Sequence, residues 1–239
     1  MVSIKYLPIL GMLAILPLIP LTAQEVVLDE TVSEEVFSRR FGPNGQHFVY
    51  RYFSWYIPVS RLSEQVVKPF ASSEVDFGVL YKYRLNNYLS TGGDFRAEFV
   101  SYRMKNMNTL QPYQLLPEWE KERVTQINIT LAWFGRVNFG KRGNHLGKYL
   151  DAGVFGGYSL FNSHIFLGED KATDTKVNTQ RNYLPYLHRW AWGFHAGFGS
   201  NYLKISARYR MSDYLIMGKV NGGDLPKLMI GLEIGIPEM

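Results

Sequence analysis

Apolar and polar residues alternate with a period of two in one segment after another from Phe48 to the C-terminus. Successive side chains of an extended chain point to opposite faces, so the pattern predicts strands with one apolar and one polar face. The predicted strands are eight: 48–59, 74–85, 88–103, and segments beginning near 124, 149, 189, 203 and 227. We therefore expect an all-β chain.

The segments between the predicted strands alternate in length. The shorter ones are 86–87, 138–147 and 200–201, and the longer ones are 61–73, 104–122, 163–186 and 212–225. Outer-membrane barrels have short periplasmic turns and longer external loops. The sequence thus predicts an eight-stranded, antiparallel, up-and-down transmembrane β-barrel whose two termini are both periplasmic.

The direction of the apolar face separates two kinds of protein. If it pointed inward, the chain would be a lipocalin-like soluble barrel. If it pointed outward, the chain would be a membrane barrel with a polar interior. The predicted strands place glycine and charges of mixed sign on the same face, which suits the crowded interior of a narrow barrel. The first strand is aromatic on both faces, and its facing stays open.

The polar face predicts a network of charged residues in the lumen. An eight-stranded interior is just wide enough for its own side chains, so we expect this network to fill the lumen; a narrow anion path is the alternative. Its predicted members are Asp76, Lys82, Arg84, Asp94, Arg96, Glu98, Arg136, Asp151, Arg189, His195, Lys204, Arg208, Arg210 and Glu233.

The N-terminal segment predicts export. Lys5 precedes an apolar run over 7–21, and Ala23 ends a small-residue cleavage site, which is the layout of a signal peptide. We expect a signal peptide over 1–23, an acidic periplasmic leader over 24–45 and an outer-membrane barrel over 46–239. The sequence has no Cys and hence no lipoprotein acylation site.

Composition excludes several kinds of chemistry. The net charge of +5 is distributed over many strands and does not form a basic stripe, so nucleic acid is not an expected partner. The glycine-rich run 153–157 lies within a predicted strand and opens no helix, so it is not a phosphate loop. No metal-ligand spacing or nucleophile elbow occurs. We expect no cofactor and no metal.

Several short stretches resemble those of a known family. They are the Ala23-Gln24 junction, the hairpin Tyr81-Lys-Tyr83-Arg-Leu85-Asn-Asn-Tyr88, the strand opening Asp151-Ala-Gly153 and the closing Gly231-x-Glu233-x-Gly235 strand. Together they look like the PorT-like outer-membrane β-barrel proteins over about 46–236. That resemblance implies a barrel in the outer membrane. Some members serve the type IX secretion system, and many have no assigned role.

The histidines are the candidates for catalysis. His195 is the only one within a predicted strand, and Ser206 would lie near it across a simple hairpin. A lipid-modifying barrel enzyme could use such a pair, but a filled lumen would deny lipid access to it. His47, His145, His164 and His188 fall in predicted turns or strand edges and are expected to face solvent or the membrane interface.

The leading hypothesis is a non-enzymatic envelope scaffold, an accessory to a secretion or assembly machine. Its expected partners are membrane lipid and lipopolysaccharide, with envelope proteins binding the acidic leader or the outer loops. Those loops carry apolar residues at Leu110, Leu115, Leu116 and Trp119. The alternatives are a lipid-modifying barrel enzyme and a soluble lipocalin-like carrier.

Cell fractionation tests the predicted location. We expect the protein in the outer-membrane fraction, migrating differently on gels with and without boiling, because a closed barrel resists detergent until it is heated. Recovery in the soluble periplasmic fraction, with no effect of boiling, would favour the carrier.

Overall fold

The computed structural model describes residues 42–59, 67–104, 119–139, 145–170, 175–216 and 224–236, with the backbone alone at 119–120, 169–170 and 175–177. The predicted signal peptide, most of the acidic leader, and the loop residues Leu110, Leu115 and Leu116 lie outside these ranges, as does the side chain of Trp119.

The described chain forms nine antiparallel strands and one short 3-10 helix, Pro69–Ala71. The strands are β1 (His47–Pro58), β2 (Ser73–Arg84), β3 (Leu89–Arg103), β4 (Trp119–Phe139), β5 (Lys148–Asp170), β6 (Thr175–Asn182), β7 (Trp190–Ser200), β8 (Leu203–Arg210) and β9 (Leu228–Ile236). Among the described residues no helix has the length and hydropathy needed to cross a bilayer.

Eight of the strands close into a ring. Its order is β1-β2-β3-β4-β5-β7-β8-β9, and β9 pairs with β1 to complete it. The closing pair is in register from Arg51 opposite Ile236 to Pro58 opposite Met229. Sequential neighbours pair around the ring except where β7 follows β5. The prediction of an all-β, eight-stranded antiparallel barrel is confirmed for the ring.

The ninth strand corrects the predicted long connection 163–186. Strand β5 continues to Asp170, and β6 pairs with its upper part from Asp170 opposite Thr175 to Ser163 opposite Asn182. We call β6 and residues 163–170 the outer hairpin. Similarly, β4 begins at Trp119, inside the predicted connection 104–122. These extensions lie at and above the outer edge of the apolar band, where lipid no longer demands an apolar face, so alternation did not mark them.

The connections differ in length at the two ends of the ring. One end, here the inner end, has the connections 85–88, 140–147 and 201–202. The opposite, outer end has 59–72, 104–118, 211–227 and the segment 171–189, which contains β6. The long connections of outer-membrane barrels are external. The inner end is therefore periplasmic, and the outer hairpin projects from the cell.

Burial follows the predicted alternation with the polar side inward. Asp76 and Lys82 are fully buried in the ring, whereas Leu131 and Trp190 expose 66 % and 71 % of their surface on the outside. A soluble barrel would have the reverse arrangement, so the lipocalin-like alternative is wrong. Strand β1, whose facing the sequence left open, turns Tyr50, Tyr52, Ser54 and Tyr56 inward and Trp55 outward.

Glycine on the inner face makes room for large aromatic rings from the neighbouring strand. Gly78 lies directly opposite Tyr52, and a Cβ atom at Gly78 would stand 2.3 Å from Tyr52 Cζ. Gly199 has the same relation to Tyr149, also at 2.3 Å. Real Cβ atoms essentially never approach that closely. Each ring therefore lies over a glycine across the strand pair and fills the lumen from there.

The Gly78→Ala variant tests this packing. The added methyl group would push aside Tyr52, which is buried and hydrogen-bonded, so we expect a loss of about 1–3 kcal/mol in the free energy of unfolding, as for an overpacked core. Gly156→Ala is the matched control, because nothing lies within 4 Å of a Cβ there. Urea unfolding in detergent micelles measures both. Equal stability of the two variants would contradict the packing described.

Candidate functional site

The outer half of the lumen is held by Arg208 of β8. Its Nη1 donates to Glu74 Oε1 at 2.5 Å, and its Nη2 donates to Asp76 Oδ2 at 2.6 Å. The Nη1 atom also lies 3.5 Å from Glu98 Oε1. One guanidinium from β8 thus joins carboxylates of β2 and β3 across the inside of the ring.

Arg96 of β3 provides the second cation of this half. Its Nη1 donates to Asp94 Oδ2 at 2.6 Å, and its Nε donates to Glu98 Oε1 at 2.8 Å. Glu98 is therefore shared by Arg96 and Arg208, and the two groups form one cluster. We call Glu74, Asp76, Asp94, Arg96, Glu98 and Arg208 the outer ion layer.

A second cluster, the inner ion layer, lies nearer the short turns. Arg136 of β4 forms a two-bond pair with Asp151 of β5, at 2.7 Å from Nε and 2.8 Å from Nη2. Lys204 of β8 lies 3.7 Å from Asp151 Oδ2 and 2.6 Å from Glu233 Oε2 of β9. All four side chains are buried. Such paired geometry offsets the cost of removing the charges from water.

Aromatic rings connect the ion layers to the wall of the barrel. The guanidinium carbon of Arg208 lies 3.7 Å from the centre of the Tyr56 ring, and that of Arg136 lies 3.7 Å from the centre of the Tyr149 ring. Contact between a cation and a ring face is favourable, more so when both are desolvated. One face of each guanidinium is therefore covered by a ring.

Both ends of the lumen are closed by apolar side chains. The inner cluster includes Leu146 of the connection at the inner end, and the outer cluster includes residues of the long connections at the outer end, such as Leu187 and Leu225. The inner cluster is Tyr50, Tyr52, Leu80, Phe134, Leu146 and Tyr149. The outer cluster is Tyr56, Val67, Val100, Tyr102, Met104, Val124, Leu184, Tyr186, Leu187, Ala191, Tyr214, Leu215, Leu225 and Met229.

Hydrogen bonds and an ion pair hold the connection between β8 and β9 at the outer end of the barrel. Asp224 Oδ1 accepts the backbone N–H groups of Tyr214 and Leu215 at 3.0 Å, and its Oδ2 lies 3.1 Å from Arg210 Nη2. Arg210 also lies against the ring of Tyr214, whose centre is 3.8 Å away. This clasp holds two residues of the outer cluster in place.

Most of the predicted lumen residues lie in the interior. Those buried there are Asp76, Lys82, Asp94, Arg96, Glu98, Arg136, Asp151, Lys204, Arg208, Arg210 and Glu233. Lys82 donates to the carbonyl of Pro43, at the inner end. Arg84, the last residue of β2, is only partly buried there and donates from Nη1 to the carbonyl of Asn44 at 2.5 Å.

The prediction that Arg189 belongs to the lumen network is wrong, because its side chain is exposed. It donates from Nη1 to Tyr158 Oη at 3.3 Å, outside the ion layers. The residue precedes β7, which begins at Trp190, so the alternation of that strand does not fix its direction.

His195 and Ser206 are diagonal neighbours on one face of the hairpin β7–β8, as the sequence predicts, but each has a different hydrogen-bond partner. In the hairpin β7–β8, His195 lies opposite Arg208 and Ser206 lies opposite Gly197. Ser206 Oγ is hydrogen-bonded to Tyr56 Oη at 2.5 Å, whereas His195 Nε2 lies 3.4 Å from the carbonyl of Trp133. The pair does not form a catalytic arrangement.

The prediction that His164 faces solvent or the membrane interface is also wrong. It is fully buried, with Nδ1 2.5 Å from Tyr186 Oη and Nε2 2.8 Å from Glu122 Oε1. The misplacement follows from the extension of β5 beyond residue 162. Across this strand pair, His164 lies opposite Val124, and it is hydrogen-bonded to Tyr186, so it contacts two residues of the outer cluster.

Sequence reasoning left out three partners of the outer ion layer. Glu74 shares the face of Asp76, so its position two residues earlier was a signal that could have identified it. Tyr52 Oη donates to Asp94 Oδ1 at 2.7 Å, and Ser54 Oγ donates to Asp76 Oδ2 at 3.0 Å. These two lie on β1, whose facing the alternation could not determine.

Three observations together decide the class of protein. The ring interior holds paired charges, the ring exterior is a band of exposed apolar side chains, and the long connections all lie at one end. Lipid is the solvent that such an exterior requires. The chain is an outer-membrane β-barrel.

Comparison with known proteins adds one distant likeness. No family model matches the chain. No curated protein matches it either. Among solved structures it is similar to Ail, the attachment invasion locus protein of Yersinia pestis, at 12 % identity and a TM-score of 0.34, over 80 % of this chain and 99 % of that one. So remote a likeness carries no functional argument, and the PorT-like resemblance gains no support from it.

The Arg208→Met variant tests the outer ion layer. Removing the guanidinium leaves Glu74 and Asp76 buried without their main counter-charge, and we expect a loss of about 3–5 kcal/mol in the free energy of unfolding. Arg189→Met is the matched control, because this arginine is exposed; we expect a change within about 0.5 kcal/mol. Urea titration of the folded barrel in micelles measures both. A similar small change in the free energy of unfolding of both variants would show that the outer ion layer does not stabilise the barrel.

Proposed function

We propose that this barrel is a non-enzymatic scaffold of the outer membrane, an accessory to a secretion or assembly machine. The PorT-like resemblance supports the secretion role, since some members of that family serve the type IX system. The expected partners are envelope proteins at the two rims of the barrel, with membrane lipid and lipopolysaccharide around it.

The closed lumen is the observation that carries this proposal. Two apolar clusters and two ion layers lie in the interior, and Arg136 and Arg208 are each ion-paired and lie against an aromatic ring. A barrel of eight strands is filled by its own side chains. The anion path considered for the lumen charges is therefore disfavoured, and a role at the surface is favoured.

The histidine geometry also supports a protein without catalysis. His195 has no serine or carboxylate partner among the described contacts, and its Nε2 is near a backbone carbonyl. His164 does have a carboxylate partner in Glu122, but it is fully buried behind the outer cluster. A general base needs access to its substrate. His164 does not meet this requirement, and His195 lacks the partner residues of a catalytic centre among the described contacts.

Photo-crosslinking in intact cells tests the scaffold. A photoreactive amino acid replaces Tyr183 at the outer rim or Tyr88 at the inner rim; both are exposed, at 62 % and 67 %. We expect a discrete protein adduct from at least one of these two positions, because a scaffold works through protein contacts at its rims.

The control places the same group at Phe95, an exposed residue in the middle of the apolar band. This position should give lipid adducts without a discrete protein band. Adducts to lipid alone from all three positions would refute the scaffold.

A further inference from the structure

Three cations form a row on the outside of the barrel near its outer end. Arg103 of β3 lies directly opposite Arg123 of β4. On the other side, Lys68 donates its backbone N–H to the carbonyl of Arg103 at 2.8 Å, next to the bridge between Val67 and Met104. Val67 and Met104 are buried, so their chain neighbours Lys68 and Arg103 point outward. We call Lys68, Arg103 and Arg123 the cation row.

The cation row lacks a counter-charge within the described part of the chain. No ion pair joins any of the three side chains to another described residue. Like charges placed directly opposite on neighbouring strands are destabilising. Arginine in particular matches phosphate oxygens with two parallel hydrogen bonds. The arrangement therefore favours an anion from outside the chain.

Polarity changes in steps along these strands, from the cation row toward the middle of the membrane. The next outward-facing rung consists of hydroxyl residues, and the rung after it is apolar. The hydroxyl rung is Ser73, Ser101 and Thr125, and the apolar rung is Val75, Phe99 and Ile127. Successive residues on one face of a strand are about 7 Å apart. Cations, hydroxyls and hydrocarbon thus follow one another at the spacing of a lipid head group.

The exposure of Phe70 also indicates that this surface lies at the membrane boundary. It lies in the short helical turn two residues after Lys68, and 94 % of its side chain is exposed. Aromatic residues are enriched where the head groups of a membrane meet its hydrocarbon. An apolar ring left this open beside the cation row suits lipid and not water.

The corresponding cations elsewhere on the outer rim already have partners. Lys227 Nζ donates to Asp213 Oδ1 at 2.5 Å, and this hydrogen bond holds the pKa of the Asp213 carboxyl below its usual range. Arg189 donates to Tyr158. The side of the barrel formed by β2, β3 and β4 therefore differs from the side formed by β7, β8 and β9.

We propose that the cation row binds the phosphate of a phosphorylated glycolipid in the outer leaflet. In this arrangement the sugar lies over the hydroxyl rung, and the acyl chains lie over the apolar rung. The proposal deepens the lipid contact of the proposed function by naming its site. It depends on the orientation of the barrel and not on whether the barrel is a scaffold.

Thermal unfolding in nanodiscs tests the site. The full chain is placed in phosphatidylcholine nanodiscs with or without diphosphorylated lipid A, and unfolding is followed by the heat-dependent gel shift. A ligand that binds only the folded state raises the unfolding midpoint. We expect a rise of about 3 °C or more for the unchanged chain. The Arg103→Gln/Arg123→Gln variant should lose most of this rise and match the unchanged chain in plain nanodiscs.

Three controls make the outcome specific. Arg189→Gln, an exposed arginine outside the row, should keep the full rise. Lipid A without phosphates and inorganic phosphate in solution should each give no rise, and added salt should reduce the effect of intact lipid A. A full rise in the double variant, or an equal rise with phosphatidylglycerol of the same total charge, would overturn the proposal.

The outcome is independent of the scaffold. Loss of the lipid effect together with retained crosslinks at Tyr88 or Tyr183 would leave the scaffold standing. A preserved lipid effect with no protein adduct would refute the scaffold alone.

Discussion

Charge pairing inside a narrow ring is the interaction on which this structure depends. Eight strands leave an interior only as wide as their side chains, and a membrane barrel must place its polar face there. Charges in such a space are costly unless each has a partner of opposite sign in good geometry. Arg208 meets that requirement across β2, β3 and β8, and Arg136 with Lys204 meets it across β4, β5, β8 and β9. The strands are thus joined through the lumen as well as through their backbone ladders.

The same lack of room explains the placement of small and large residues. An inward tyrosine can lie flat over a neighbouring strand only if that strand has no Cβ beneath the ring, which is the relation of Tyr52 to Gly78. The tyrosine then returns a hydrogen bond to the ion layer, as Tyr52 does to Asp94. Packing and charge pairing therefore reinforce one another. The closure of the lumen results from both, and it directs attention to the surfaces of the barrel.

The ring could be predicted from sequence, because lipid on one side and charge on the other impose a strict alternation over most of each strand. The rule failed where that constraint ends. Arg189 precedes its strand, β6 is not part of the ring, and the upper part of β5 lies at the membrane boundary, where the demand for an apolar outer face ends. His164 was misplaced for that reason. Strand β1 was ambiguous because it has aromatic residues on both faces: Tyr50, Tyr52 and Tyr56 point into the lumen, and Phe53 and Trp55 point to the lipid. The cation row could not be found either, since it depends on which strands pair and in which register.

The length of β5 determines how far the outer hairpin extends above the membrane. Its lower part pairs with β7 inside the ring, and its upper part pairs with β6. Ile165 of β5 lies opposite Arg123 of the cation row. At about 3.3 Å per residue and the usual tilt of barrel strands, the chain from Ile165 to Asp170 rises roughly 13 Å above that row. That height exceeds the thickness of a layer of head groups. The pair Asp170 and Thr175, at the far end of the described hairpin, therefore stands above the head groups, outside the membrane.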